Sequence, residues 1–159
     1  MDRPDEVGLA ASYTEMHEIL MPNDTNNLGR ALGGSVLHWM DICGAIVGRR
    51  FSRRQVVTAS MDHVDFRGPI DLGEIVAVEG YVFDTGDTSV DVKVDVFAER
   101  PSAGERRETA SSFFTFVALD DDESPAPVPA LSCETDRERR LRDEALDERR
   151  ERRRAAPTP

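Results

Sequence analysis

Lysine is all but missing from this chain: of its twenty basic residues only Lys93 is a lysine, and the others are arginine. Basic charge as a whole is outvoted, since 31 acidic residues leave a net charge of −11. That balance excludes nucleic acid as the main partner, because phosphate backbones are held by basic surfaces. No apolar run approaches the roughly 20 residues of a membrane span. No leader with a charged, an apolar and a small-residue part opens the chain. A cytoplasmic protein with no membrane partner is expected. The two cysteines lie in dissimilar surroundings, Cys43 in an apolar stretch and Cys133 in an acidic, proline-rich one, and read as free thiols. No spacing of His, Cys and Asp suggests a metal site, and no G-x-S-x-G elbow marks a serine hydrolase.

What is present in excess is aspartate and glutamate, as in Asp120, Asp121 and Asp122. An acidic surface almost without lysine resembles that of proteins working in concentrated salt. The charge then describes the solvent rather than a ligand.

Periodicity divides the chain into one α+β unit, residues 1–119, an acidic and proline-rich linker, 120–135, and a charged tail, 136–159. Ser12 to Leu20 reads as a first strand closed by Met21 and Pro22. Gly33 to Arg50 carries Val36, Leu37, Met40, Cys43, Ile46 and Val47 at helical spacing, with Trp39, Ile42 and Ala45 on the other side, which predicts a helix buried on most sides. Four strands are expected after it: Val56 to Phe66, Ile75 to Asp84, Ser89 to Glu99 and Thr109 to Leu119. In the third, Val90, Val92, Val94 and Val96 alternate with Asp91, Lys93 and Asp95. One helix followed by successive antiparallel strands implies a sheet wrapped on that helix. The tail alternates acids and arginines around Leu141, Ala145 and Leu146 and reads as a solvated helix. Its short RRERRR cluster from Arg149 is broken by an acid and does not overturn the acidic balance.

Asp41 sits alone in the apolar helix. A buried carboxylate is costly unless paired or used; the structural alternative is an acid paired with Arg49 or Arg67. Gly33 and Gly34 open the same helix, where unpaired N–H groups and the positive dipole end form a cradle for a carbonyl oxygen gaining charge. They also read as glycines that merely permit tight packing of the loop. Asp41 lies eight residues beyond Gly33, roughly 12 Å along a helix axis, so the two cannot easily meet on one substrate within one chain.

The residues T-N-x-x-G-x-x-x-G-G at Thr25 to Gly34 and M-D-x-x-G-A-I at Met40 to Ile46 resemble the hotdog-fold acyl-CoA thioesterases, in their bacterial and brain-type acyl-CoA hydrolase branch. VVTAS at Val56 to Ser60, DFRGPI at Asp65 to Ile70, TSVDVKV at Thr88 to Val94 and FTFVALD at Phe114 to Asp120 extend the match over residues 12–120. The resemblance implies a sheet around a central helix, hydrolysis of acyl-CoA to a free acid and CoA, and no cofactor beyond the CoA of the substrate. It also implies protomers paired through antiparallel central helices, with a trimer of such dimers as the larger assembly. Asp41 of one chain would then face Gly33 and Asn26 of the other. The carboxylate would attack the thioester or activate water, and the amide would orient water or polarise the carbonyl.

For the CoA moiety, arginines suit phosphates and strand-edge groups suit the pantetheine arm, which makes Arg67, Thr88 and Ser89 the candidates. Two other activities share the fold: a hydratase, for which His63 is the available histidine, and a non-catalytic acyl-CoA-binding module that would not need Asp41.

Overall fold

The alternating valines set the two faces of a sheet. Val90, Val92, Val94 and Val96 are fully buried on one face, and Asp91, Lys93 and Asp95 are half-buried on the other. The computed structural model describes residues 5–155. In chain order its elements are β1 (Glu6–Gly8), α1 (Leu9–Ser12), β2 (Thr14–Ile19), α2 (Gly33–Ser52), β3 (Gln55–Met61), β4 (Asp65–Phe66), β5 (Ile75–Thr85), β6 (Ser89–Arg100), β7 (Glu105–Leu119), β8 (Ala130–Ser132) and α3 (Asp136–Ala155). The main sheet is antiparallel in the order β2-β5-β6-β7-β3, with β4 pairing to β7 beyond β3. The α+β hotdog expectation, a sheet curled on one long helix, is what the structure holds.

Small residues let α2 press into the hollow of the sheet. A Cβ on Gly44 would lie 2.7 Å from two ring atoms of Phe116, and one on Gly80 would lie 3.1 Å from Val47. Around this seam Met40, Cys43, Val47 and Phe51 pack against Val78, Val92, Val94, Phe114 and Phe116. Each such side chain taken out of water contributes about 1.5–3 kcal/mol. Cys43 is sunk deeply enough that burial pushes its thiol up to about 12, and both cysteines are free. The helix ends on Arg53, whose left-handed φ of 57° allows its N–H to reach the Arg49 carbonyl.

One expectation is qualified and three change. The central helix is buried over most of its surface but keeps one open side, a stripe of Gly34, His38, Ile42 and Arg49, next to β3, which is an edge of the main path. The strand expected from Val56 to Phe66 is broken, because β3 slips register at Thr58/Ser60 and then turns through Asp62, whose N–H donates to the Phe113 carbonyl. The first strand is shorter than Ser12 to Leu20, since Leu9–Ser12 forms a helical turn ahead of it.

The fourth concerns residues after 119, which are neither a loose linker nor a solvated tail. Asp120 folds its carboxylate back onto the N–H groups of Asp122 and Ser124, the chain runs on to bury Ala126, and β8 pairs in parallel with β1. α3 then lies across the outer face of the sheet. Ala145 packs there with Leu9, Tyr81, Phe83 and Phe113, flanked by Leu141 and Leu146. Its start is a capping box, in which Glu138 N–H donates to Thr135 Oγ1 and Thr135 N–H donates to Glu138 Oε2. Glu138 Oε1 also accepts from Ala10 N–H, tying α3 to α1.

Candidate active site

The loop from Met21 to Leu32 is organised by two side chains. Asn26 Oδ1 accepts from the N–H groups of Leu28 and Arg30 at 2.9 and 3.1 Å, and Gly29, at φ 73°, closes the turn onto the Asn26 carbonyl. With its oxygen committed, Asn26 has only its NH2 group to offer. Asp24 accepts from Ser35 Oγ at 2.9 Å, and its carbonyl accepts from Leu32 N–H at 2.8 Å, so the carboxylate steadies the first turn of α2. No side chain caps that helix at Leu32.

The glycines are not demanded by packing inside the chain. A Cβ on Gly34 would meet nothing within 4 Å, and one on Gly33 would make only an ordinary 3.9 Å contact with Phe66. This contrasts with Gly44, in the same helix, where a methyl collides with Phe116. Two substitutions should therefore behave oppositely. Gly44→Ala is expected to lower stability by about 1–3 kcal/mol through overpacking. Gly34→Ala should leave the melting temperature unchanged or raised yet depress kcat/KM, because the methyl enters the cleft that Gly34 lines with Asp41. Thermal unfolding and steady-state assays on both variants check this; a lowered melting temperature in Gly34→Ala would return that residue to a packing role.

Asp41 is half-buried, not submerged, and its hydrogen-bond partner is Thr58, whose Oγ1 donates to Asp41 Oδ1 at 2.7 Å. No arginine pairs with it among the described residues. The two share a cleft of about 340 Å³ with Gly34, Leu37, His38, Met61 and Phe114. Leu37, Met61 and Phe114 give the cleft its apolar lining, and His38, Asp41 and Thr58 its polar groups. Thr58 falls within the VVTAS segment, where nothing in the sequence alone singles it out. Its signal would have been a threonine pointing toward the helix from an edge strand.

The remaining candidates separate. Gly33 lines a different, smaller cleft with Phe66 and Ile70, and Asn26 lines neither, so one chain does not assemble Asp41, Gly33 and Asn26 into a single site. Arg67 is already engaged by Asp65 at 2.9 Å, Glu108 at 2.6 Å and Glu148 at 3.7 Å, which leaves its charge compensated. Thr88 and Ser89 sit half-buried at the β5–β6 turn, their carbonyls accepting from Ala118 and Gly86. His63 is exposed on the β3–β4 turn, outside the Asp41 cleft. A larger cleft, about 1020 Å³, lies instead at the C-terminal end of α2 between arginines such as Arg53 and acids such as Asp121. It contains none of the reacting groups. No group of His, Cys, Asp and Glu among the described residues could hold a metal ion, and no helix among them is long and apolar enough to cross a membrane.

Residues 28–104, from the Asn/Gly loop through β6, match the thioesterase superfamily. Over 133 residues the chain is 42% identical to an uncharacterized acyl-CoA thioester hydrolase of Bacillus subtilis, an overlap covering 84% of this chain and 77% of that one. The chain belongs to the thioesterase superfamily. Among solved structures it is similar to an apo-hexameric acyl-CoA thioesterase, at TM-score 0.85 and 37% identity over 96% of this chain and 99% of that one. It is likewise similar to the acyl-CoA hydrolase of Staphylococcus aureus in complex with butyryl coenzyme A, coenzyme A and coenzyme A disulfide, at TM-score 0.84 and 34% identity, covering 94% and 93%. Alanine variants of that Staphylococcus enzyme replace an Asn, an Asp and a Thr separated by 15 and 17 residues. Asn26, Asp41 and Thr58 have the same spacing.

Proposed function

We propose that this protein hydrolyses acyl-CoA thioesters, with Asp41 as the group acting on the thioester carbonyl. The observation that carries this reading is the Asp41–Thr58 pair: the only carboxylate on α2, oriented by a hydroxyl, paired with no arginine among the described residues, and open to a cleft walled by Leu37, Met61 and Phe114. Water adds the elements of H and OH across the C–S bond, giving the carboxylic acid and the CoA thiol. Asp41 supplies the nucleophile or the base, and Thr58 keeps one of its oxygens fixed so that the other faces the substrate. The uncapped N–H groups at Gly33 and Gly34 stabilise the oxygen as charge builds on it. CoA enters as part of the substrate, and no metal or dissociable cofactor is required. A cytoplasmic site of action belongs to the same proposal.

The working unit is a dimer, with three dimers forming the larger assembly. Two observations support it: Asn26 and Gly33 do not reach the Asp41 cleft of their own chain, and the open stripe of α2 lies beside an unpaired strand edge. A partner docked there excludes water from the Asp41 cleft.

Subunit mixing tests the shared site. Asn26→Asp retains the oxygen that caps the loop and removes the NH2 donor, so it inactivates without dismantling the turn. Mixed with Asp41→Asn chains, it should restore about a quarter of wild-type activity when subunits exchange at random across a twofold interface. No recovery after verified exchange would place all reacting groups within one chain.

A further inference from the structure

The arginine-rich end of α3 reaches the wall of the Asp41 cleft from behind. Met61 lines that cleft, and Asp62, the next residue, is where the chain leaves its pairing with β7. The backbone of Asp62 is held by Phe113 and by Ser112, whose Oγ donates to the Asp62 carbonyl at 3.0 Å. Its carboxylate is held by α3: Arg149 Nε donates to Oδ2 at 3.0 Å, and Arg153 Nε approaches the same oxygen at 3.3 Å. Arg149 is 7% exposed and grips a second carboxylate, with Nη1 3.1 Å from Asp91 on β6, while Nη2 donates to Thr115 on β7. Burial pushes the Asp62 carboxyl up, and the hydrogen bonds and charges of Arg149 and Arg153 outweigh it and hold the group below its ordinary range. β7 completes the connection, because Phe113 lies under α3 and Phe114, facing the other way, lines the cleft.

We propose that Arg149 is a positioning residue that sets the acyl end of the cleft, by fixing Asp62 and through it Met61 and the strand carrying Thr58. This rests on the acyl-CoA reading of the cleft. A planar guanidinium bound to carboxylates on two separate segments fixes a distance as well as a charge. The apolar residues it backs, Met61 and Phe114, are the part of the cleft that meets the acyl chain, so the arginine governs which chain lengths fit. The shape of the substrate pocket is thereby written partly in the C-terminal helix.

The two carboxylates on one arginine provide the test. Asp62→Asn loosens the segment next to the cleft, whereas Asp91→Asn loosens α3 from β6 and leaves the Asp62 contact in place. Both are made in the full, assembled protein. Dissociation constants are then measured for non-hydrolysable thioether analogues of CoA carrying four-, ten- and sixteen-carbon chains, alongside melting temperature and the kcat and KM of the matching thioesters. Asp62→Asn should change the ratio of long-chain to short-chain affinity by about fivefold or more, a step comparable to misfitting a methylene in an apolar pocket. Asp91→Asn should lower the melting temperature and keep the wild-type ratio. Arg149→Lys should retain more of the wild-type ratio than Arg149→Met.

An unchanged ratio in Asp62→Asn, or the same change in both aspartate variants, would reduce Arg149 to a purely structural residue. Wild-type protein that binds none of the analogues would instead overturn the acyl-CoA reading itself.

Discussion

Asp41→Asn is expected to cut turnover by about three orders of magnitude or more, as when a nucleophile or base is removed from a site that otherwise stays intact. Asparagine matches aspartate in shape, and its Oδ1 still accepts from Thr58, so fold, melting temperature and assembly should hold. What disappears is the negative charge, and with it both the nucleophile and the proton acceptor. A thiol-release assay over a panel of acyl-CoAs, run beside size-exclusion chromatography, reads the two halves of the expectation separately. Near-normal turnover in a well-assembled variant would remove Asp41 from the chemistry. A wild type that binds acyl-CoA and never releases thiol would identify a binding module in place of an enzyme.

Asp41 and the central sheet were legible for the same physical reason: each breaks or keeps a simple period. The valines at 90, 92, 94 and 96 alternate because one face of β6 meets α2, and a lone acid stands out against an apolar helix. The C-terminal helix was not legible as a packed element. Its apolar contacts with the sheet come chiefly from Ala145, with Leu141 and Leu146 partly buried beside it, too little apolar surface to separate it from a solvated helix. Its anchors are charges, Arg149 onto Asp62 and Asp91, and Glu148 onto Lys93, and charge patterns alone do not tell a buried ion pair from an exposed one. The Thr135–Glu138 capping box was a readable start signal. The partners of Arg67 were equally hidden, since Asp65 is a sequence neighbour but Glu108 and Glu148 arrive only through the fold. The break at Asp62 depends on hydrogen bonds from β7, which no local propensity encodes.

Removing salt should dissociate the assembly and extinguish activity, and molar KCl or NaCl should restore both. With a net charge of −11 per chain, protomers repel one another across any interface, and the range of that repulsion is set by the Debye length, about 30 Å at 0.01 M against about 3 Å at 1 M. Exposed acids such as Asp121, Asp122 and Glu123 have no lysine among them to offset the field. Salt also weakens attractive pairs, but those anchoring α3 are half-buried and screened less than the exposed acids. The repulsive effect therefore wins. Light scattering and hydrolysis measured across a salt titration decide the matter: an unchanged oligomer with full activity in low-millimolar salt would show that the acidity is not an adaptation to brine, and would leave the thioesterase reading as it stands.

Lys93 gives the chain an unusual chemical signature. Its ammonium group lies under α3, with side-chain exposure of 17%, between Asp95 at 3.5 Å and Glu148 at 3.1 Å. Electrostatic pairing outweighs desolvation there and raises its affinity for the proton, so the free amine that acylating reagents attack is scarce on two counts. Amine-directed cross-linkers, fluorophores and acetyl donors should thus react only slowly with Lys93 while α3 is docked. The same residue becomes a one-site reporter once α3 lifts, and the rate at which Lys93 acquires a label measures how often the helix lets go of the sheet.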